Sequence, residues 1–154
     1  MATGQAERLM PLLEEMLAAE RLAWADLTAI AVGTGPGNFT GIRIAVAAAR
    51  GLALALGVPA IGVTRLEALA FGRPHPVTIR IDAKRGQVYA QEFPGGEAEL
   101  RPADGVLTDA AVPLAEAIAR IAATRTASAT RPAPFYIREV DAAPSRLVAP
   151  RISP

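Results

Sequence analysis

Between an apolar run, Leu27 to Val32, and a long apolar stretch, Thr40 to Leu56, lies Gly33-Thr34-Gly35-Pro36-Gly37-Asn38-Phe39-Thr40-Gly41-Ile42-Arg43. A short apolar run bounded by glycine fits a buried strand, and the stretch beyond it fits a helix, so this segment is a strand-to-helix connection. Glycines in such a loop permit positive φ and close approach of the backbone to another group. Amides at a helix start point outward beside the positive dipole end, where an anion can bind. The Lys-Ser/Thr pair of a Walker A loop is absent, replaced by Ile42-Arg43, and no acidic residue closes the next strand as the dinucleotide fingerprint requires. Two readings stay open for Gly35, Gly37, Asn38, Thr40 and Gly41: a plain structural turn, or a vestigial phosphate loop.

The rest of the chain is organised around that connection. Leu9, Leu12, Leu13, Met16 and Leu17 recur at helical spacing and predict an amphipathic helix over 5–20. The helix over 40–56 is apolar on nearly all sides and must be covered by a sheet, other helices or another chain. A second strand is predicted over 58–63. Thr64-Arg65-Leu66-Glu67 then reads as a capping box opening a short helix that ends near Phe71-Gly72. Strand, helix, strand and helix in this order predict a parallel βαβ unit with a right-handed crossover.

The character changes at Pro74-His75-Pro76. Val77 to Ile81 and Gln87 to Phe93 alternate as a hairpin would, with Asp82 to Gly86 as the connection. A helix is predicted over 113–124, a polar loop through Thr130, and a last strand over 135–140. The proline-punctuated tail has no periodicity. The expected organisation is an N-terminal α/β lobe over 1–74 and a smaller mixed lobe with an irregular tail over 75–154. No internal repeat is present.

Composition narrows the chemistry. A formal net charge of +1 argues against a protein whose main task is gripping nucleic-acid phosphates. Lys84 is the only lysine among 16 basic residues, a bias toward arginine that reads as genomic rather than functional. With aromatic residues at 5%, the core must be built from Ala, Val, Leu and Ile. Cysteine is absent, which removes disulfides, thiolate ligands and a cysteine nucleophile. The single histidine, His75, rules out a two-histidine metal site. Ser128, Ser145 and Ser153 fall in expected loops, none in a nucleophile elbow. Asp82 is the best remaining candidate for a carboxylate magnesium site, against a plain hairpin-turn role. The first residues carry no basic patch followed by an apolar run, so no signal peptide is expected. Ile44 to Val63 is long and apolar, but Arg50 near its middle and Gly57-Val58-Pro59 favour a soluble βα segment over a membrane span. No catalytic constellation emerges.

The residues also carry a family likeness. Gly35-Pro36-Gly37-Asn38-Phe39-Thr40-Gly41-Ile42-Arg43 resembles the Gly-Pro-Gly-Ser-Phe-Thr-Gly-Leu-Arg signature of the TsaB (YeaZ) family. Ala49-Arg50-Gly51-Leu52-Ala53, Val58-Pro59, Gly62-Val63 and Leu66-Glu67-Ala68-Leu69-Ala70 keep register with it. Ile81 to Tyr89 is similar to the family's Asp-Ala-Arg-Arg-x-Glu-Val-Tyr stretch, and Phe135-Tyr136-Ile137-Arg138 to its Tyr-Leu-Arg. The likeness covers about residues 5–93, with a patchier tail. It implies an actin-like, ribonuclease-H-like (ASKHA) fold and a non-catalytic scaffold in the making of threonylcarbamoyladenosine at position 37 of transfer RNA. The implied partners are TsaD as heterodimer mate, the ATPase TsaE, a second copy when alone, and tRNA only through the complex. The expected location is the cytoplasm, without membrane attachment. No cofactor is expected, and weak nucleotide binding at the complex interface stays open.

Two departures stand out. Family members open with a strand meander bearing an Asp-Thr start, whereas this chain opens at what resembles their first helix. The stretch between Phe93 and Phe135 is also shorter than usual. The strand over 27–32 is therefore expected to expose an unpaired edge, consistent with truncation, incomplete representation or closure by self-association. The expected partner-facing residues are Leu9, Leu12, Leu13 and Met16 on the first helix, with Arg43, Ala47 and Arg50 on the second. The rival reading is a small nucleotide-dependent phosphotransferase using the Gly35–Gly41 loop. A peptidase reading fails for want of a nucleophile–base pair or metal site.

Overall fold

The computed structural model describes residues 5–125 and 131–137. The protein is a mixed α/β structure. Helix α1 (Gln5–Ala19) leads through a 3-10 turn (Trp24–Asp26) to strand β1 (Ile30–Gly33), helix α2 (Phe39–Leu56), strand β2 (Ala60–Val63) and helix α3 (Arg65–Ala70). Strands β3 (Val77–Lys84), β4 (Gln87–Phe93) and β5 (Glu99–Pro102) follow, then helix α4 (Leu114–Ala123).

Strands β1 and β2 pair in parallel, Ile30 opposite Ala60 and Gly33 opposite Val63. The crossover between them is α2, as the strand–loop–helix–strand order requires. Val32, Val46 and Ala49 form a buried cluster joining β1 to α2. On the other face, a Cβ added to Gly33 would lie 3.3 Å from Ile118 of α4, so the strand pair is sandwiched between α2 and α4. Val32 and Gly33 point to opposite faces because successive residues alternate across a strand.

Strand β1 begins at Ile30, not at the expected Leu27. The 3-10 turn, closed by Asp26 Oδ2 accepting from the Ala23 amide at 2.7 Å, delays it until Ile30 meets the Pro59 carbonyl, 2.9 Å away. Strand β2 likewise starts two residues later than expected, at Ala60. Helices α1 and α2 match the predicted spans to within a residue. Helix α3 stops at Ala70, just before the expected end.

The second sheet is antiparallel, in the order β3-β4-β5. The hairpin is present, but Asp82 to Lys84 belong to β3 instead of the connection. A register shift between Asp82 and Lys84 and positive φ at Lys84, Arg85 and Gly86 turn the chain within that short stretch. Strand β5 lies in the segment after Phe93, for which no strand was expected. Its pattern, half-buried Leu100 and Arg101 between exposed Glu99 and Pro102, gives no clean alternation to read.

Leu66, Leu69 and Ala70 of α3 pack with Ile79 and Ile81 of β3, and Val77, Tyr89, Phe93, Leu114 and Phe135 close around them. Leu66 and Ile79 are wholly buried, each worth about 1.5–3 kcal/mol of apolar burial. This cluster joins the second sheet to α3 and α4. Phe135 to Ile137 form no strand, although the Phe135 amide donates to the Thr34 carbonyl at 2.8 Å. The remainder of the expected last strand, 138–140, and the tail lie outside the described residues, as does the end of the polar loop at 126–130.

Candidate functional site

The glycine loop is built mainly by internal bonds. Gly35 has φ +104, and a Cβ there would fall 2.7 Å from Ile42 Cδ1, so both conformation and space demand glycine. Its carbonyl accepts from the Arg65 amide at 2.6 Å, tying the loop to the start of α3. Asn38 is the N-cap of α2, its side chain accepting from the Gly41 amide at 2.8 Å. One of the amides that would greet an anion is thus already satisfied by the loop's own carboxamide. Gly37 and Gly41 do not have positive φ. Thr40 is exposed.

Gly37 and Asn38 border a cleft of about 610 Å³. Arg65 stands beside them; Arg80 to Lys84 and Tyr89 form the facing wall, and Leu107 to Asp109 close a third side. Gly35, Thr40 and Gly41 do not line it. The charges are mixed. Lys84 Nζ lies 2.7 Å from Asp82 Oδ2, and Arg80 Nε lies 3.5 Å from Asp104. The Lys84 side chain and amide both donate to Asp82 and hold its carboxyl below the ordinary aspartate range. That carboxylate is therefore committed to the turn. Among the described residues no group of three His, Asp or Glu side chains gathers as metal ligands. Arg65 makes no ion pair among the described residues.

The expected partner-facing residues fall on two helices. On α1, Leu9 and Leu13 are half-buried, while Leu12 and Met16 are exposed at 43% and 57%. Leu13, Met16 and Leu17 share an apolar cavity of about 320 Å³ with Trp24, Leu27, Ile30 and Leu52, so α1, β1 and α2 meet there. On α2, Arg43, Ala47 and Arg50 are exposed and stand in one stripe with Phe39 and Leu54, at steps of three and four residues. The buried Val46, Ala49 and Ala53 hold the neighbouring face of α2, about a quarter-turn round the helix. By length and composition α2 could cross a membrane; in this fold one face packs on the strand pair and the other carries two arginines.

One part of the stripe could not be read from the sequence. The Arg43 guanidinium stacks 3.8 Å from the Phe39 ring centroid, and its Nε donates to the Tyr136 hydroxyl at 3.0 Å. Phe39 and Tyr136 stack with centroids 5.2 Å apart. The step from Phe39 to Arg43 places those two together on a helix, but nothing local announces Tyr136. Exposed aromatic and arginine side chains held in fixed positions are the composition of interface anchors.

Comparison with known proteins follows the same lines. The family model described as "TsaD: tRNA N6-adenosine threonylcarbamoyltransferase" matches residues 2–142. The tRNA threonylcarbamoyladenosine biosynthesis protein TsaB of Escherichia coli is 39% identical over 92 residues, 56% of this chain and 40% of that protein. The protein of the same name from Bacillus subtilis is 41% identical over 85 residues, 53% of this chain and 37% of that protein. A solved structure of YeaZ from Pseudomonas aeruginosa superimposes with TM-score 0.50 at 33% identity, covering 73% of this chain and 56% of that one. The chain thus spans well under two thirds of the length of these relatives.

Proposed function

The chain belongs to the TsaD family, its relatives there being the TsaB (YeaZ) proteins, and on that premise we propose that it is a non-catalytic subunit in the formation of threonylcarbamoyladenosine on tRNA. In this reading the protein supplies a surface on which TsaD, and with it TsaE, is held. It meets tRNA only within that assembly, and it works in the cytoplasm. The architecture it brings is one lobe of an ASKHA-type fold with part of a second.

The observation that carries the reading is the exposed stripe of α2, Phe39, Arg43, Ala47, Arg50 and Leu54, with the exposed Leu12 and Met16 of α1 as a second apolar surface. Leu54 is 77% exposed. A small residue at the centre, Ala47, lets a facing helix approach, and the Phe39–Arg43–Tyr136 stack supplies rigid anchors. A second copy of the chain could occupy the same face when TsaD is absent. Co-purification with TsaD tests the proposal: the wild-type chain retains TsaD, and Ala47→Glu combined with Met16→Glu releases it while leaving the circular dichroism spectrum unchanged. Retention of TsaD by that folded double variant would sink this interface.

The cleft bordered by Gly37, Asn38, Arg65, Arg80 and Lys84 favours a second reading, a nucleotide-dependent phosphotransferase. Calorimetry with ATP and magnesium separates the two. Micromolar binding with turnover in the isolated chain would favour the phosphotransferase; heats no larger than dilution favour the scaffold.

A further inference from the structure

Two cavities run end to end along the outer edge of β2. One, of about 430 Å³, lies between that edge and the end of α2 and is lined by Arg50, Leu54, Pro59, Ala60 and Arg131. The other, of about 420 Å³, continues past Gly62 and is lined by Thr34, Arg125 and the segment from Arg131 to Phe135. Ala60 and Arg131 border both.

The backbone along this groove is open. Ile30 donates to Pro59 and Thr34 to Val63, which fixes Pro59, Ile61 and Val63 as the residues facing β1. Alternation then turns the amides and carbonyls of Ala60 and Gly62 outward. Of these, only the Gly62 carbonyl has a partner among the described residues, accepting from Arg125 Nη1 at 2.6 Å. Arg125 is also paired with Glu67, but Arg50 and Arg131 make no ion pair among the described residues. Among the described residues no acidic side chain lines either cavity. Thr34 is 6% exposed and borders the second cavity.

We propose that this groove is a docking site for an extended acidic peptide segment of a partner protein, which adds to the free edge of β2 and sets its carboxylates against Arg50 and Arg131. An elongated, largely apolar trough beside unpaired strand amides suits β-addition, in which main-chain bonds give affinity and side-chain pockets give selectivity. The excess of guanidinium over carboxylate sets the sign of the partner. A compact phosphate fits less well, because the donors are spread along the strand and not converged on one point.

Fluorescence polarisation with labelled Glu-Val-Glu-Val-Glu-Val and Lys-Val-Lys-Val-Lys-Val peptides on the full chain tests this. The acidic peptide binds and the basic one does not; raising salt weakens the complex; Arg131→Glu or Arg50→Glu lowers affinity at least tenfold. Arg50 and Leu54 belong to both this groove and the α2 stripe, so the separating variants are Arg131→Glu, which is on the groove alone, and Met16→Glu of α1, which lines neither cavity. The first lowers peptide binding and leaves TsaD bound, the second leaves peptide binding unchanged, and this proposal and the scaffold reading fail separately. The proposal is overturned if the acidic peptide does not bind, in which case the arginines merely guard the edge, or if Arg131→Glu binds it as well as wild type. Displacement of the peptide by an equal concentration of inorganic phosphate would likewise overturn it, by showing a small-anion site.

Discussion

Arg125, at the foot of α4, forms an ion pair with Glu67 in the first turn of α3, fifty-eight positions earlier in the chain. Glu67 also accepts from the Thr64 amide at 2.7 Å, completing the capping box, while Arg125 takes the Gly62 carbonyl. One guanidinium therefore joins the end of β2, the start of α3 and the end of α4. Glu67→Ala removes the capping carboxylate and leaves Arg125 half-satisfied. The expected loss is about 1–2 kcal/mol, read as a fall in melting temperature of about 3–8 °C by circular dichroism. Arg125→Ala should move the midpoint in the same direction.

Gly35 occupies a left-handed conformation under Ile42. Gly35→Ala should destabilise the protein by about 1–3 kcal/mol, from strain at positive φ and the clash with Ile42 Cδ1. Gly51→Ala is the control: an added Cβ there meets nothing within 4 Å, and alanine is the better helix former by about 1 kcal/mol. Urea unfolding of the two variants should shift in opposite directions.

The Asp82 carboxyl, held low by Lys84, gives a pH dependence of definite sign. A carboxylate whose folded pKa is depressed contributes stability above its unfolded value, near pH 4, and loses it as pH falls through the lower folded value. A carbon-detected NMR titration should place the Asp82 midpoint below that of a peptide aspartate. Lys84→Met should move it upward. A midpoint unmoved by Lys84→Met would show that the turn backbone alone holds the carboxylate.

Arg43 packs over the Phe39 ring and donates to the Tyr136 hydroxyl on an exposed face. Arg43→Ala should cost little in stability, about 0.5 kcal/mol or less, because the cluster is solvated. If the α2 stripe anchors TsaD, the same change should weaken the complex by about 2 kcal/mol or more. Titration calorimetry beside a thermal melt separates the two effects, and equal losses in both would mark Arg43 as a folding residue.

The parts of this fold that rest on local periodicity were legible. Leu9, Leu13 and Leu17 announced α1, Thr64 and Glu67 announced the start of α3, and the alternation from Val77 to Ile81 announced β3. What escaped depends on distant pairings. The start of β1 is set by where Pro59 offers a carbonyl, and β5 exists because β4 presents an edge to it. In the candidate site, Gly37 and Asn38 lie in the strand-to-helix loop and both border the cleft. Asn38 turned out to cap its own helix. The facing wall of that cleft, Arg80 to Lys84, and the Tyr136 hydroxyl on Arg43 arrive from far along the chain, where spacing carries no information.

Strand β1 is four residues long and, among the described residues, pairs with β2 alone. Its Ala31 and Gly33 peptide groups, turned away from β2, have no strand beside them among the described residues. A rail of this kind recruits whatever backbone comes near it, including another molecule of the same protein. Handling should therefore be governed by time and dilution as much as by temperature: stocks left concentrated should creep toward larger species in light scattering, and saturation with a genuine mate should arrest that drift.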